Sequence, residues 1–443
     1  MPSFLIAAAT SNSGKTTFTM GLLRALRNRG LNVQPFKCGP DYIDTMFHHI
    51  ASGNESVNLD TFMSSEEHVK DLFERYGDAA DCRVVEGVMG LFDGYDRWHG
   101  SSGEIAMMLD IPVILVLNAK SMAYSAAALI YGFKHFNPKI KIAGVVFNMV
   151  ASENHYAYLR SACEDAGVEC LGYMPRNEKL VIPGRHLGLT ISAKEEMDQL
   201  AELAAKEIEE HVNLDSIIRG FKPLQKLSAA FRQKENGEEE CDQKESQELG
   251  RGTSIAIARD EAFNFTYRAN IDALKKMGEV IFFSPLHDAV MPQCDVLYLP
   301  GGYPELFAEE LSSNISMRES IRQFAENDGK IFAECGGFMY LCRDIDGKEM
   351  CGVFPMQATM AGARLHLGYR KAEGIADCEN NSFVSKGHEF HYSSIIETKL
   401  PDTIRAEQCQ LSAKEAHVST ALYHYKNVTA GYTHWYWADK VNR

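Results

Sequence analysis

The stretch Thr10 to Thr17, TSNSGKTT, follows directly on the apolar run Phe4 to Ala9, FLIAAA. An apolar run of that length reads as a strand buried on both faces, and Lys-Thr-Thr opens a helix-length segment, Gly14 to Arg29. A glycine turn between a strand and a helix start is a phosphate cradle. Backbone N–H groups there can surround phosphate oxygens, Lys15 can neutralise them, and the Thr16 hydroxyl can hold Mg²⁺. Gly14, Lys15 and Thr16 match the end of the G-x-x-x-x-G-K-[ST] pattern, while Ala9 stands at its first glycine. Ser13, Gly14, Lys15, Thr16 and Thr17 are the candidate nucleotide-binding set. An ordinary helix start capped by Ser13 is the plainer alternative, and the strand context with Lys-Thr-Thr argues against it.

Further apolar runs alternate with helical stretches to about residue 215: NVQPFKCG, CRVVEGVMG, PVILVLNA, IAGVVFNMV and ECLGYM, with helices over Glu66–Tyr76 and Met122–Phe136. This alternation predicts a parallel sheet between helix layers. In such a sheet the loops beyond the strand ends share one rim, where ligands bind. Asp41 and Asp44 in KCGPDYID and Glu86 in VVEGVMGLFDG fall on that rim, and with Thr16 they form the candidate Mg²⁺ ligands. Taken singly, Asp41 reads as a turn residue and Asp44 as a helix cap. Asp93 reads as a turn aspartate.

The pattern collapses between residues 222 and 251, where RQKENGEEECDQKESQELGRG reads as an acidic linker. A second alternation follows: SIAIARD, EVIFFSP, CDVLYLPGG and KIFAECGG as strands, then shorter runs beyond Gly352. The expected organisation is a P-loop α/β domain over 1–221, the linker, and a second α/β domain over 252–443.

Composition narrows the function. A formal charge of -15 argues against a general nucleic-acid binder. The absence of a long apolar stretch argues against a membrane span, and no leader segment is apparent. Eleven cysteines without paired spacing indicate neither a zinc framework nor a disulfide scaffold. A reducing cytoplasm is the expected setting.

In KIFAECGGFMYL, Cys335 sits at a strand-to-helix turn beside Gly336 and Gly337. Small residues there let the backbone bend sharply and expose a nucleophile. The helix start is expected to favour the thiolate. The N–H groups of Gly336 and, from LPGGYPE, Gly302 are candidate oxyanion donors.

Together SNSGKTT, KCGPDYID, NLDTFM, VVEGVMGLFDG, FNMV, LGYMPRNEKLVIPGRHLGL, LPGGYPE and ECGGFMYL resemble the cobyrinic acid a,c-diamide synthase family, whose first half is similar to dethiobiotin synthetase. The resemblance spans both domains and spares only the linker. It implies an ATP-dependent, glutamine-hydrolysing ligase that amidates the a and c carboxylates of a corrinoid in cobalamin biosynthesis, with Mg²⁺ accompanying ATP. It places Asn148 near the adenine, although as a polar residue closing a strand Asn148 reads equally well. The second domain is similar to class I glutaminases, so His434 in AGYTHWYW is expected to serve Cys335 as base. Class I enzymes usually continue His-Pro-Glu, and here Trp435 and Tyr436 follow, so the third member of the triad is open. His388 and His391 in GHEFHYS are the competing histidines, expected to touch the corrinoid or to be structural. Another tetrapyrrole, hydrogenobyrinic acid or nickel-sirohydrochlorin, is the runner-up substrate. A P-loop switch ATPase has no use for Cys335, and a stand-alone hydrolase has no use for the ATP site. No nucleic acid or membrane partner is expected, and a homodimer is admissible.

Overall fold

The computed structural model describes residues 2–182, 191–220, 252–376, 382–396 and 399–439. The chain divides into two compact units that part within 221–251, and the short piece Phe62–Ser65 groups with the second. The expected linker, and residues 183–189 of the motif that begins at Leu171, lie outside the described residues.

The first unit is built on seven strands, β1 (Ser3–Ala8), β2 (Val33–Cys38), β3 (Val57–Leu59), β4 (Cys82–Glu86), β5 (Val113–Asn118), β6 (Ile142–Val150) and β7 (Glu169–Pro175). They form one sheet in the order β3-β2-β4-β1-β5-β6-β7, and every pairing is parallel. All residues of β1, β2 and β4 are buried, including the polar Gln34, Lys37, Arg83 and Glu86. Helices α1 (Lys15–Asn28) and α2 (Ile43–Ser52) pack against each other and against the helix Ile191–His211. The helices Ala126–Phe136 and Glu153–Ala166 form a second packed pair. The expected helices over 14–29, 66–76 and 122–136 appear as 15–28, 66–77 and 126–136.

Strand order reverses about β1, whose neighbours are β4 and β5. The loops leaving β1, β2 and β4 therefore open on one rim. The β2–β4 register sets Lys37 directly beside Glu86.

The second unit contains β8 (Ser254–Ala258), β9 (Glu279–Phe283), β10 (Val296–Leu299), β11 (Lys330–Glu334), β12 (Cys342–Ile345), β13 (Lys348–Glu349), β14 (Phe354–Thr359), β15 (His366–Ala376), β16 (Ser382–His391), β17 (Ser394–Ile396), β18 (Ile404–Glu407), β19 (Gln410–Ser412), β20 (Leu422–Tyr425), β21 (Val428–Gly431) and β22 (His434–Tyr436). Its main sheet runs β18-β20-β21-β11-β10-β8-β9. The portion from β21 to β9 is parallel, and β18 and β20 extend it antiparallel. Two four-stranded sheets accompany it, β13-β12-β14-β17 and β19-β15-β16-β22. The last strand, β22, leaves the main sheet and pairs with β16, which sets His434 opposite His388.

Candidate active sites

The loop between β1 and α1 turns at Gly14, whose φ of 91° is left-handed. A side chain there is excluded twice over, by that backbone and by Asn148, whose Nδ2 would lie 1.9 Å from an added Cβ. Asn148 Nδ2 donates to the Ser13 carbonyl at 3.0 Å, and its Oδ1 accepts the Met149 N–H at 2.9 Å. The amide thus braces the loop. Ser13 donates to the Thr10 carbonyl at 2.8 Å and shapes the same turn. Thr17 faces the Leu180 carbonyl at 3.4 Å. The first N–H groups of the fourteen-residue α1 face the loop, a geometry that attracts phosphate.

Lys15 reaches across the rim and donates to the Met89 carbonyl at 2.6 Å. Burial lowers the basicity of its ammonium, with Glu86 opposing. Thr16 Oγ1 lies 3.0 Å from Glu86 Oε1 and 3.4 Å from Asp44 Oδ1. Three oxygens from three elements thus converge, a hard donor set that suits Mg²⁺. Asp41, the fourth expected ligand, has one oxygen engaged elsewhere. Its Oδ1 accepts the N–H groups of Ile43 and Asp44, at 2.8 and 3.0 Å, so Asp41 caps α2 and Asp44 is released to face Thr16. Asp93 accepts the Gly90 N–H at 2.9 Å, the turn role expected of it.

Two further residues complete this site. Lys37, buried at the end of β2, bonds Asp44 Oδ2, Glu86 Oε1 at 3.2 Å and the Gly87 carbonyl at 3.1 Å. Burial works against its charge, but Asp44, Glu86 and Asp41 outweigh it and keep the ammonium protonated. His48 Nε2 lies 2.7 Å from Glu86 Oε2, and its Nδ1 lies 3.0 Å from Ser56 Oγ. Burial alone would raise the Glu86 carboxyl. Lys37, His48 and Lys15 reverse that and hold it well below the usual carboxylate range. Burial and the neighbouring Asp41 push Asp44 upward despite Lys37. The sequence signal for Lys37 was a lysine ending an apolar strand one residue from a glycine turn. His48 carried none, because a histidine in mid-helix more often faces solvent.

In the second unit β11 ends at Glu334, and Cys335 takes φ 47° and ψ −105°. A non-glycine residue held there is strained, and such strain persists where the fold over-determines it. The Cys335 N–H donates to the Gly431 carbonyl at 2.7 Å, fixing the turn to β21. An added Cβ at Gly336 would lie 2.9 Å from the Gly302 nitrogen. The two candidate oxyanion turns are therefore in contact. Phe265, Gly302, Glu305, Met339, Phe390 and His391 line a cavity around Cys335. Burial pushes the Cys335 thiol strongly up, with the charges of Glu305 and Glu389 adding to it. This overturns the expected thiolate: the following helix, Gly336–Leu341, has only six residues, and the Gly336 N–H is outweighed. A base must therefore take the thiol proton.

His434 is buried at the start of β22 and packs on the Gly301–Gly302 turn, where an added Cβ on Gly301 would lie 2.2 Å from its Cε1. Burial, with His388 and His391 adding to it, holds its imidazole neutral. Its ring stacks on His388 with centroids 5.0 Å apart. His391 lines the cavity itself. Its Nε2 lies 2.8 Å from Glu389 Oε1, and its Nδ1 lies 2.8 Å from the Ser393 carbonyl. Glu389 is in turn held by Arg370 and Thr420.

Residues 4–189 match the CobQ/CobB/MinD/ParA nucleotide binding domain, and residues 254–441 match the CobB/CobQ-like glutamine amidotransferase domain. The cobyrinate a,c-diamide synthase of Listeria innocua is 43% identical over 90% of this chain and 88% of its own length. That of Methanococcus maripaludis is 42% identical over 89% and 88%, and that of Picrophilus torridus is 40% identical over 98% and 95%. With a nucleotide-binding unit, a glutamine amidotransferase unit and relatives of this identity along nearly its whole length, the chain belongs to the cobyrinate a,c-diamide synthase family.

Proposed function

We propose that this protein amidates the a and c carboxylates of cobyrinate with glutamine-derived ammonia, spending ATP on each carboxylate, as a step of cobalamin biosynthesis. The carrying observation is that one chain holds both a phosphate loop with converging carboxylates and a strained cysteine elbow. In the first unit, Lys15 and the α1 N–H groups hold the ATP phosphates. Thr16, Asp44 and Glu86 would hold Mg²⁺, which supplies charge stabilisation for the phosphoryl group in transfer. Asp41 acts through Asp44, by fixing the start of α2. A substrate carboxylate oxygen attacks the γ-phosphorus, ADP leaves, and an acyl phosphate results. Lys37 stands between Asp44 and Glu86 and keeps their charges paired before substrates arrive.

In the second unit, the Cys335 sulfur attacks the glutamine amide carbon while the thiol proton passes to His434. The oxyanion is met by the N–H groups of Gly302 and Gly336. The carbon–nitrogen bond breaks, and the proton leaves with ammonia. Water, deprotonated by the same imidazole, opens the thioester to glutamate. Ammonia then displaces phosphate from the acyl phosphate and gives the amide.

The direct test offers the purified protein ATP, glutamine and, in turn, cobyrinate, hydrogenobyrinate and nickel-sirohydrochlorin. Diamide should form fastest from cobyrinate, and a faster reaction with another macrocycle would reassign the substrate. For the metal set, Glu86→Gln and Asp44→Asn should each slow ADP formation by ~10²–10³-fold at saturating MgATP. Asp41→Asn should cost far less, since an amide oxygen still caps α2. Near-normal rates in both the Glu86 and Asp44 variants would remove them from the metal site. The protein is also read as a homodimer. Tyr124, Leu129, Tyr131, Phe136 and Tyr158 are exposed on or beside the helix pair Ala126–Phe136 and Glu153–Ala166, large apolar side chains that a second copy would cover. Sedimentation at twice the 49.5 kDa chain mass would support the dimer, and sedimentation at the chain mass would refute it.

A further inference from the structure

Class I glutaminases usually orient their histidine with a glutamate two residues later, and here that position is Tyr436. The fold offers a carboxylate from another direction. Glu334 is the last residue of β11, immediately before the nucleophile, and only 1% exposed. Its Oε1 accepts the Trp435 N–H at 2.9 Å, and its Oε2 accepts the Tyr298 hydroxyl at 2.7 Å. Oε2 also lies 3.9 Å from His434 Nδ1. Among the described residues, His434 is the one basic side chain within ion-pair distance of it.

From this arrangement we propose that Glu334 is the third member of the triad, a positioning residue that fixes His434 through the Trp435 backbone and faces Nδ1 when the imidazole takes up the cysteine proton.

The bond to the Trp435 N–H tethers the main chain next to His434, so the backbone that carries the imidazole is anchored to Glu334 by a buried hydrogen bond. The Nδ1 distance is long for a hydrogen bond, as catalytic contacts often are before substrate binds. A buried carboxylate without a cation is costly, and burial pushes Glu334 up to about 8 in the resting protein. An imidazolium at 3.9 Å supplies the missing charge. The same contact stabilises the protonated base that the Cys335 step creates. Because nucleophile and orienting carboxylate are consecutive residues of one strand and turn, His434 is referenced to Cys335 through one rigid element. In its carboxylate form Glu334 faces a neutral imidazole, and the two become an ion pair when the cysteine proton reaches His434.

The inference rests on His434 being the base, and the experiment separates the two. Glutamate release from glutamine is measured for Glu334→Gln, His434→Ala and the double variant, beside ammonium-dependent amidation and melting temperature. Glu334→Gln should lower glutamate release about 10²-fold and leave ammonium-dependent amidation and melting temperature as in the wild type. The double variant should be no slower than His434→Ala alone, since residues acting as one unit are not additive. Glu334→Asp, which keeps the charge, should recover part of the loss, and it stands in should the glutamine variant fold poorly. A Glu334→Gln protein within twofold of wild type beside a dead His434→Ala would overturn the role of Glu334 and leave the base in place. An active His434→Ala would remove the base assignment itself. Full additivity in the double variant, or parallel loss of both reactions with melting temperature, would reduce Glu334 to a structural prop.

Discussion

Cys335→Ala should abolish glutamine-dependent amidation, by ~10⁴-fold or more, while amidation with high ammonium continues near the wild-type rate. The first effect follows from the chemistry: without the sulfur no thioester forms, and loss of a nucleophile leaves only residual catalysis from binding and oxyanion contacts. The second follows from the division of labour. The phosphate loop, Thr16, Asp44 and Glu86 belong to the first unit and Cys335 to the second, so carboxylate activation does not need the thiol. The substitution should not unfold the protein. Alanine removes one buried sulfur beside an existing cavity, a small loss of packing, and it inherits a φ of 47°. The backbone strain stays, because the bond of the residue-335 N–H to the Gly431 carbonyl does not involve the sulfur, and the melting temperature should move little. Parallel assays with glutamine and with ammonium chloride decide the matter. A variant equally dead with ammonium would make Cys335 structural or place activation elsewhere.

What could be read from the sequence was whatever local chemistry dictates. The central parallel strands of both main sheets stand out because strands buried between helix layers carry largely apolar runs, and Gly-Lys-Thr after such a run has few other uses. The division of tasks between neighbouring carboxylates was not readable. Asp41 and Asp44 are three residues apart, and which of them caps α2 depends on where the helix begins, a boundary that Pro40 leaves ambiguous within a turn. Asn148 was visible as a polar strand end, but its partner is the Ser13 carbonyl, 135 positions away in the chain. The three-residue β3 is too short to show a period. A helix start is visible in sequence while burial is not, and around Cys335 burial wins. Glu334 was hidden by the same gap. A glutamate ending an apolar strand announces that some partner exists, but only the return of β22 past β11 identifies it.

The competing histidines give the second large effect. His434→Ala should lose glutamate release by ~10²–10⁴-fold, the usual worth of a positioned acid–base group. His388→Ala should keep most of it. The structure makes the comparison with His391 sharper than the sequence did, because His391 lines the Cys335 cavity and already pairs with Glu389. Geometry nevertheless assigns His391 another task. Both of its ring nitrogens face acceptors, Glu389 Oε1 and the Ser393 carbonyl, so neither has a lone pair directed at a thiol proton. Glu389 is itself fixed by Arg370, and His391 packs on Tyr432 with ring centroids 3.6 Å apart. A side chain so thoroughly held shapes the glutamine pocket. His434 is kept neutral by burial, the form a base must have before it accepts a proton. Its place against the Gly301–Gly302 turn puts it beside an oxyanion donor. His391→Ala should therefore raise KM for glutamine more than it lowers kcat, whereas His434→Ala should lower kcat with KM little changed. Both are read from glutamate release with MgATP and tetrapyrrole present. An active His434→Ala beside a His391→Ala whose kcat has collapsed would transfer the base role to β16, with Glu389 as its orienting carboxylate.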